Sequence, residues 1–470
     1  MVENAGWTHK GAAHARGRNL PKANEERLAQ LATRLPPPSD DQDDRDDQDE
    51  QDEQDEQLDI IKGLRAGRRR RHLLGWAVAL VVLALGAGAI AQWVRPLPHP
   101  TLQATGVRLP GMPPTLAGPS AGEAAVGVEG VGPLGQLRGN QSVPVAGLAE
   151  VLTAYVVLSD HHLAPGADGP SVPVTADTLT AYQNGQAAQD SEVPVTAGET
   201  LTELQALEGM LIDSGTDMAT MLADWDAGAV GPFVAKMNAA AAKLGLTSTH
   251  VTDPSGVDPG TTSTAEDLVR LGEAALSIPV LQQIVSLGQT SVSIPMTTAV
   301  VYNLNFDLGH DGIVGIKTGS NSSAKGCYLF AAQESIGGKT VTVVGAVLGQ
   351  PGGSLGPNTA AVNAGDALVK SAFASLHTFT VFAPGQQAGE VVAPWGAMAP
   401  TTVAQPVTVV GWPGLAVSVT ARRAHSLDAP IATGATVGTL QAGTGSTSVL
   451  VPLRTARPLG RPGLWWRLTR

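Results

Sequence analysis

The chain has 470 residues, enough for two or three domains, and a formal net charge of −12. Thirteen acidic residues and Arg45 lie between Asp40 and Asp59, so this stretch alone accounts for the net charge and the remainder is neutral. With no phosphate-binding loop or dinucleotide fingerprint, we expect no nucleic-acid partner and no cofactor. The single cysteine, Cys327, excludes an internal disulfide framework, and the histidines show no zinc-ligand spacing, so we expect no metal.

Residues 1–72 form the first segment of the chain. Their acidic run repels itself and cannot bury a core, so we predict a disordered cytoplasmic tail. An acidic tail that recruits a partner is the alternative interpretation.

A membrane-spanning helix is predicted at Leu73–Val94, which has 22 residues without a formal charge and Trp76 and Trp93 near its ends. Five arginines precede it and indicate that the N-terminal side is cytoplasmic; they are Arg65, Arg68, Arg69, Arg70 and Arg71. We therefore predict a single-pass protein of the cell membrane, anchored in the lipid bilayer by this helix, with an extracytoplasmic main domain. The sequence Ala89-x-Ala91 resembles a cleavage site, so a signal peptide is the alternative.

The Pro-rich residues 95–120 are predicted to form an extended linker. Residues 121–376 are predicted to form an α+β domain, with helices packed on an antiparallel sheet. Helical patterns occur at Val145–Leu158, Leu201–Trp225 and Val234–Leu244, and a strand pattern occurs at Thr340–Gly349.

The residue pattern changes in the last part of the chain. Short β-rich runs alternate with Gly and Pro turns in residues 377–455, which predicts a small all-β domain. Residues 456–470 form a basic tail containing Trp465 and Trp466. This tail is consistent with either a membrane-interface segment or a solvated end.

The motif Lys317-Thr318-Gly319 is followed by small polar residues and the apolar run Cys327–Phe330. Upstream, the segments Ser142–Leu163, Thr196–Trp225 and Phe233–Leu271 occur in an order and spacing that resemble the serine D-alanyl-D-alanine carboxypeptidases, the small penicillin-binding proteins. The resemblance covers roughly Gly122–Phe373.

This resemblance implies a β-lactamase/transpeptidase-like domain that acts in cell-wall peptidoglycan metabolism on stem peptides ending in D-Ala-D-Ala. It assigns the retained catalytic positions to Ser214 and Lys317. The substrate-binding positions that it implies are Ser214, Thr216, Lys317, Thr318, Gly319 and Ser320.

Three positions depart from the family pattern. Gly147 stands where the family has its nucleophilic serine, Glu150 where it has the base lysine, and Thr216 where it usually has asparagine. Glycine has no side chain to acylate, so we predict a catalytically impaired protein that forms no penicillin adduct. Lys317 and Thr318, with backbone N–H donors of an oxyanion hole, could still bind a peptide end.

The sequence leaves two alternatives open. The first is an active carboxypeptidase with a shifted nucleophile: Ser322 with Lys325 satisfies S-x-x-K but falls in an expected turn, and Ser142 has Val145 in place of its lysine. Lys325 would in either case be an extra cation beside the cleft. The second alternative is a membrane scaffold whose acidic tail recruits a partner.

Overall fold

The computed structural model describes residues 73–294, 297–443 and 447–470, so the predictions for residues 1–72 lie outside it. The chain divides into two units, Met1–Val94 and Arg95–Arg470. In the first unit, helix α1 spans Leu73–Val94 and is about 33 Å long at 1.5 Å per residue. Its mean hydropathy of 2.4 makes α1 the one unbroken helix, among the described residues, that is long and apolar enough to cross a membrane.

The helices of the second unit, except the last, pack on the two faces of a central sheet and on one another. Three of them begin at threonines, Thr175, Thr202 and Thr264, whose side chains accept a hydrogen bond from the third backbone N–H of the helix. The helices are α2 (Ala149–Asp160), α3 (Ala176–Ala188), α4 (Glu203–Asp213), α5 (Thr216–Ala227), α6 (Val230–Lys243), α7 (Ala265–Leu276), α8 (Pro279–Val285), α9 (Pro357–Ser375) and α10 (Leu464–Thr469).

The strands fall into a central sheet and a C-terminal set. They are β1 (Thr101–Ala104), β2 (Val107–Arg108), β3 (Glu123–Val128), β4 (Gly132–Leu137), β5 (Val143–Pro144), β6 (Ser171–Pro173), β7 (Thr200–Thr202), β8 (Thr262–Ser263), β9 (Gln289–Ile294), β10 (Thr297–Tyr302), β11 (Ile313–Asn321), β12 (Lys325–Ile336), β13 (Lys339–Gln350), β14 (His377–Phe382), β15 (Gln387–Val392), β16 (Met398–Val403), β17 (Val407–Gly411), β18 (Ala416–Val417), β19 (Val419–Arg423), β20 (Thr436–Ala442) and β21 (Val449–Thr455).

The central sheet is antiparallel and has the strand order β11-β12-β13-β3-β4. Side chains alternate between its faces, so Leu329 and Val344 belong to the core that includes α2, α4 and α7, whereas Tyr328 and Phe330 belong to the core under α9. The sheet is therefore covered by helices on both faces, and β11 forms one of its edges.

The C-terminal strands build a separate apolar core. The main sheet has the order β1-β15-β16-β21-β20-β19, and Val391, Leu440 and Leu453 are buried in it. An α+β region followed by an all-β region confirms the predicted fold class.

Residues 95–120 do not form the predicted spacer. Strand β1 pairs with β15 and strand β2 pairs with β18, and Leu102 and Val107 pack against the C-terminal core. The prolines that suggested a linker flank residues 101–109, which contain none. This proline-free stretch can therefore donate backbone hydrogen bonds to the edge of a sheet.

The end of the basic tail is packed. In α10 the Trp466 ring lies 5.8 Å from that of Trp395, and the guanidinium of Arg470 lies 5.3 Å from the Trp466 ring. Arg470 also donates a 2.6 Å hydrogen bond to the carbonyl of Arg95. The tail is thus joined to the beginning of the second unit, while the Trp465 side chain stays exposed.

Candidate active site

Gly147 lies in a 3₁₀ turn, Ala146–Leu148, that leads directly into α2. This turn places Glu150 in the first helical turn of α2, where its side chain is only 1% exposed. Position 147 and position 150 therefore face one site from the same helix start.

Ser214 lies at a break between two helices. The apolar pattern of Leu201–Trp225 predicted one helical stretch, but the chain leaves α4 at Ser214, with φ 61° and ψ 41°, and begins α5 after Gly215. A left-handed backbone costs a residue with a side chain roughly 1–2 kcal/mol. Residues held in such conformations cluster at functional sites, because the surrounding structure must enforce them.

The Lys317-Thr318-Gly319 motif lies on edge strand β11, where Lys317 pairs with Leu329 and Thr318 with Tyr328. A Cβ atom at position 319 would lie 2.7 Å from the backbone nitrogen of Gly147. Glycine at 319 thus lets the strand approach the start of α2 closely.

Ser214, Glu150 and Lys317 form a mutually bonded group. The Lys317 ammonium donates a 2.7 Å hydrogen bond to Ser214 Oγ, and Ser214 Oγ donates a 3.0 Å hydrogen bond to Glu150 Oε1. Lys317 Nζ is also 3.2 Å from Glu150 Oε2. The structure therefore brings Gly147, Glu150, Ser214 and Lys317 together, and the charge of Lys317 is compensated by Glu150.

The ionisation of Glu150 is strongly perturbed. Burial raises its pKa to about 7, and the nearby charge of Asp253 acts in the same direction. The charge of Lys317 and the hydrogen bonds from Ser214 and Lys317 lower the pKa, but they do not offset the loss of hydration. Glu150 can therefore gain or lose a proton near neutral pH.

A cleft of about 220 Å³ opens beside this group. It is lined by Ala146, Gly147, Glu150, Gln189, Asp190, Ser191, Ser214, Thr216, Ser255, Gly256, Val257, Leu304, Thr318, Gly319, Ser320, Asn321 and Asn358. Thr318 lines this cleft, and its hydroxyl is buried without a hydrogen-bond partner.

The wall formed by Ser255–Val257 is held by one carboxylate. Asp253 Oδ2 accepts hydrogen bonds from the backbone N–H groups of Ser255, Gly256 and Val257, at 3.2, 2.7 and 3.0 Å. Thr261 Oγ1 donates to the other oxygen of Asp253. This part of the cleft is therefore rigidly shaped before any ligand enters.

Thr216 is bonded to Glu192, a residue that sequence reasoning missed. Its hydroxyl donates to Glu192 Oε1, and the backbone N–H of Asp217 donates to Glu192 Oε2 at 3.0 Å. Burial and the proximity of Glu192 raise the pKa of Asp217 to about 9. Glu192 lies in an irregular segment outside every recognised motif, so the sequence held no signal for this contact.

The structure places Lys317 and Lys325 differently from the expectation. Lys317 does not line the cleft: it is 2% exposed and bonded to Ser214 and Glu150, so it is not free to grip a terminal carboxylate. Lys325 is not beside the cleft either, because it lines a different cavity with Pro144 and Gly349. The turn between β11 and β12 directs Lys325 away from the site.

The alternative nucleophiles also lie elsewhere. Ser322 is in the exposed turn after β11, and Ser142 donates a hydrogen bond to the carbonyl of Ser248. Neither residue lines the cleft.

Other features of the second unit offer weaker candidates. A cavity of about 350 Å³ lies between the β3–β4 hairpin and α7. Its lining residues include no hydrogen-bonded serine, carboxylate and lysine like those beside the cleft. Within the ranges that the structure describes, no group of three His, Cys, Asp or Glu side chains is arranged to hold a metal ion.

Comparison with known proteins identifies the class of fold. The sequence profile of the D-alanyl-D-alanine carboxypeptidases matches residues 134–351. The structure of penicillin binding protein 5 from Haemophilus influenzae covers 75% of this chain with all of its own length, at a TM-score of 0.52 and 20% sequence identity. The protein therefore has the β-lactamase/transpeptidase-like fold of the penicillin-binding proteins.

The sequence relatives define the family more closely. D-alanyl-D-alanine carboxypeptidase DacB2 of Mycobacterium tuberculosis is 36% identical over 208 residues, which are 43% of this chain and 66% of that protein. The D-alanyl-D-alanine carboxypeptidase of a Streptomyces species is 32% identical over 213 residues, 42% of this chain and 70% of its own. The chain belongs to the D-alanyl-D-alanine carboxypeptidase family.

Proposed function

We propose that this protein binds peptidoglycan stem peptides ending in D-Ala-D-Ala and forms no acyl-enzyme at position 147. The observation that carries the proposal is the cleft between the Gly147 turn, Ser214 and strand β11, in which the Thr318 hydroxyl is buried without a partner. The relatives named above are carboxypeptidases of such peptides, which supports the ligand class.

Recognition in this site rests on hydrogen bonds more than on charge. Thr318 and Ser320 of the β11 edge line the cleft, whereas the ammonium of Lys317 is compensated by Glu150. Binding is therefore weak and reversible, because no uncompensated cation is available to a terminal carboxylate.

We further propose that the protein is a single-pass membrane protein, with α1 in the bilayer, an N-terminal cytoplasmic tail and the cleft outside the cell. The length and hydropathy of α1 and the arginines before it support this topology.

Calorimetry on the full chain in detergent tests whether the proposed peptide binds. A peptide ending in D-Ala-D-Ala should bind, and the same peptide ending in L-Ala-L-Ala should bind at least about tenfold more weakly. Thr318→Val, which removes the hydroxyl at nearly constant shape, should weaken binding by roughly five- to tenfold. Thr180→Val on the outer face of α3 is the matched control and should leave affinity unchanged. Equal binding of the two peptides would contradict the proposal. Failure of both peptides to bind would also contradict it and would favour a membrane scaffold.

A further inference from the structure

The space of the missing side chain at position 147 is occupied by another hydroxyl. A Cβ atom built on Gly147 would lie 2.7 Å from Ser214 Oγ and 3.3 Å from Glu150 Oε1. Ser214 Oγ therefore occupies part of the space that a side chain at position 147 would fill.

The partners of this hydroxyl match those of an activated nucleophile. Ser214 Oγ donates to the Glu150 carboxylate at 3.0 Å and accepts from the Lys317 ammonium at 2.7 Å, and Lys317 also pairs with Glu150 at 3.2 Å. A hydroxyl bonded to a base, with that base oriented by a third group, is the recurring geometry of nucleophilic catalysis.

We propose that Ser214 is the nucleophile of this cleft, with Glu150 as its general base and Lys317 stabilising the charge that develops on Ser214 Oγ. The proposal rests on the proposed function, since it concerns the same peptide ligand.

The surroundings of Ser214 allow a ligand to reach it. Its side chain is half-buried and lines the cleft, whereas Lys317 behind it is sealed off. Helices α4 and α5 fix its backbone from both sides at φ 61°.

The reaction balances without a further co-reactant. The Ser214 O–H proton passes to Glu150 as a bond forms between Oγ and the carbonyl carbon of the penultimate residue. The carbon–nitrogen bond then breaks, Glu150 returns the proton to the leaving amine of the terminal D-Ala, and an acyl ester remains on Ser214. Water then adds to the ester carbon as Glu150 takes its proton, the bond between that carbon and Ser214 Oγ breaks, and Glu150 returns the proton to Ser214 Oγ as the shortened peptide leaves. With a penicillin, the β-lactam carbon–nitrogen bond is the one that breaks.

Mass spectrometry of the full chain in detergent tests the proposal after incubation with benzylpenicillin and protease digestion. We expect a slowly formed adduct on the peptide that contains Ser214. Ser214→Ala should abolish the adduct, and Glu150→Gln should slow its formation by roughly 10²- to 10⁴-fold. Ser286→Ala, at the end of α8 and outside the cleft, should leave it unchanged.

A second pair of variants guards against effects on folding. Gly147→Ala adds a methyl group that must displace Ser214 Oγ, so it should abolish the adduct, whereas Gly231→Ala on α6, where a Cβ meets nothing within 4 Å, should not. The rate should rise with pH through about 7 as Glu150 ionises beside Lys317 and Asp253.

No adduct, or an adduct that persists in Ser214→Ala, overturns the inference. If the peptide still binds in calorimetry, the proposed function stands while the inference fails. If the peptide does not bind, both fail.

Discussion

At the residue scale, two positions distinguish this site from the family pattern: Gly147 stands in place of the serine and Glu150 in place of the lysine. Together they change the charge of the site more than its shape. Glu150 forms a buried pair with Lys317, so the motif lysine is retained but its charge is neutralised. Gly147 leaves the adjacent hydroxyl of Ser214 bonded to both members of that pair. These three groups depend on one another, because each satisfies a buried polar neighbour that would otherwise lose its hydration.

Glu150→Gln should leave the free energy of unfolding at pH 8 unchanged or raise it, because the raised pKa of Glu150 means that the fold favours the neutral side chain over the carboxylate even beside Lys317. Glu266→Gln removes a carboxylate from an exposed pair with Arg270 and should cost less than about 1 kcal/mol. Urea unfolding of both variants at pH 8 measures the difference. A loss of about 3–5 kcal/mol in Glu150→Gln would show instead that Lys317 requires the buried carboxylate as its counter-charge.

Peptide affinity should depend on pH through Glu150. Below about pH 7 the carboxyl is protonated and Lys317 carries an uncompensated charge, which attracts a terminal carboxylate. Affinity should therefore increase, at most roughly tenfold, as the pH falls from 8 to 6. Titration calorimetry at several pH values checks this, and affinity that rises with pH would contradict it. A peptide with an amidated end carries no such charge and should show little pH dependence.

At the scale of elements, the site forms where three parts of the fold come close together: the start of α2, the α4–α5 break and the edge strand β11. The sequence motifs identified the residues on all three. They did not reveal that Ser214 would interrupt the apolar run Leu201–Trp225, because periodicity does not report the backbone angle of a single residue. They also did not reveal the burial of Lys317, which depends on how closely β11 packs against α2.

Other failures of prediction have the same origin in tertiary contacts. The partnership of Glu192 with Thr216 and Asp217 joins a loop to a helix start without any sequence signal. Strands β1 and β2 exist because the C-terminal sheets offer them free edges, which residues 95–120 alone could not indicate. The antiparallel central sheet was predictable, since strong local patterns and the family resemblance agreed.

Gly319→Ala should separate β11 from α2, because its methyl group would lie 2.7 Å from the Gly147 nitrogen and 3.2 Å from the Gly147 Cα atom. We expect a loss of about 1–3 kcal/mol in the free energy of unfolding and a loss of peptide binding. Gly231→Ala on α6 meets no neighbour and should be neutral or slightly stabilising. Thermal unfolding and calorimetry measure both effects; unchanged binding in Gly319→Ala would refute this close approach.

At the scale of the whole molecule, a membrane-competent helix precedes a unit that carries the cleft. The packed C-terminal helix contacts Arg95, the first residue after α1, through Arg470.

The full chain should remain in the membrane after alkaline extraction, and protease added outside intact cells should reach the second unit but leave the N-terminal tail protected. Mass spectrometry of the protected fragment identifies its N-terminus and checks the topology. A soluble protein that begins near Gln92 would show instead that α1 acts as a cleaved signal.

The most direct test of peptide recognition is photo-crosslinking. A peptide ending in D-Ala-D-Ala, with a photoreactive group next to its end, is irradiated with the full chain in detergent, and the sites are mapped by mass spectrometry. We expect crosslinks on Thr318–Asn321 and Ser255–Val257, the two walls of the cleft, and their loss in excess unlabelled peptide. Crosslinks confined to other surfaces, or unaffected by the competitor, would show that the peptide is not bound in this cleft.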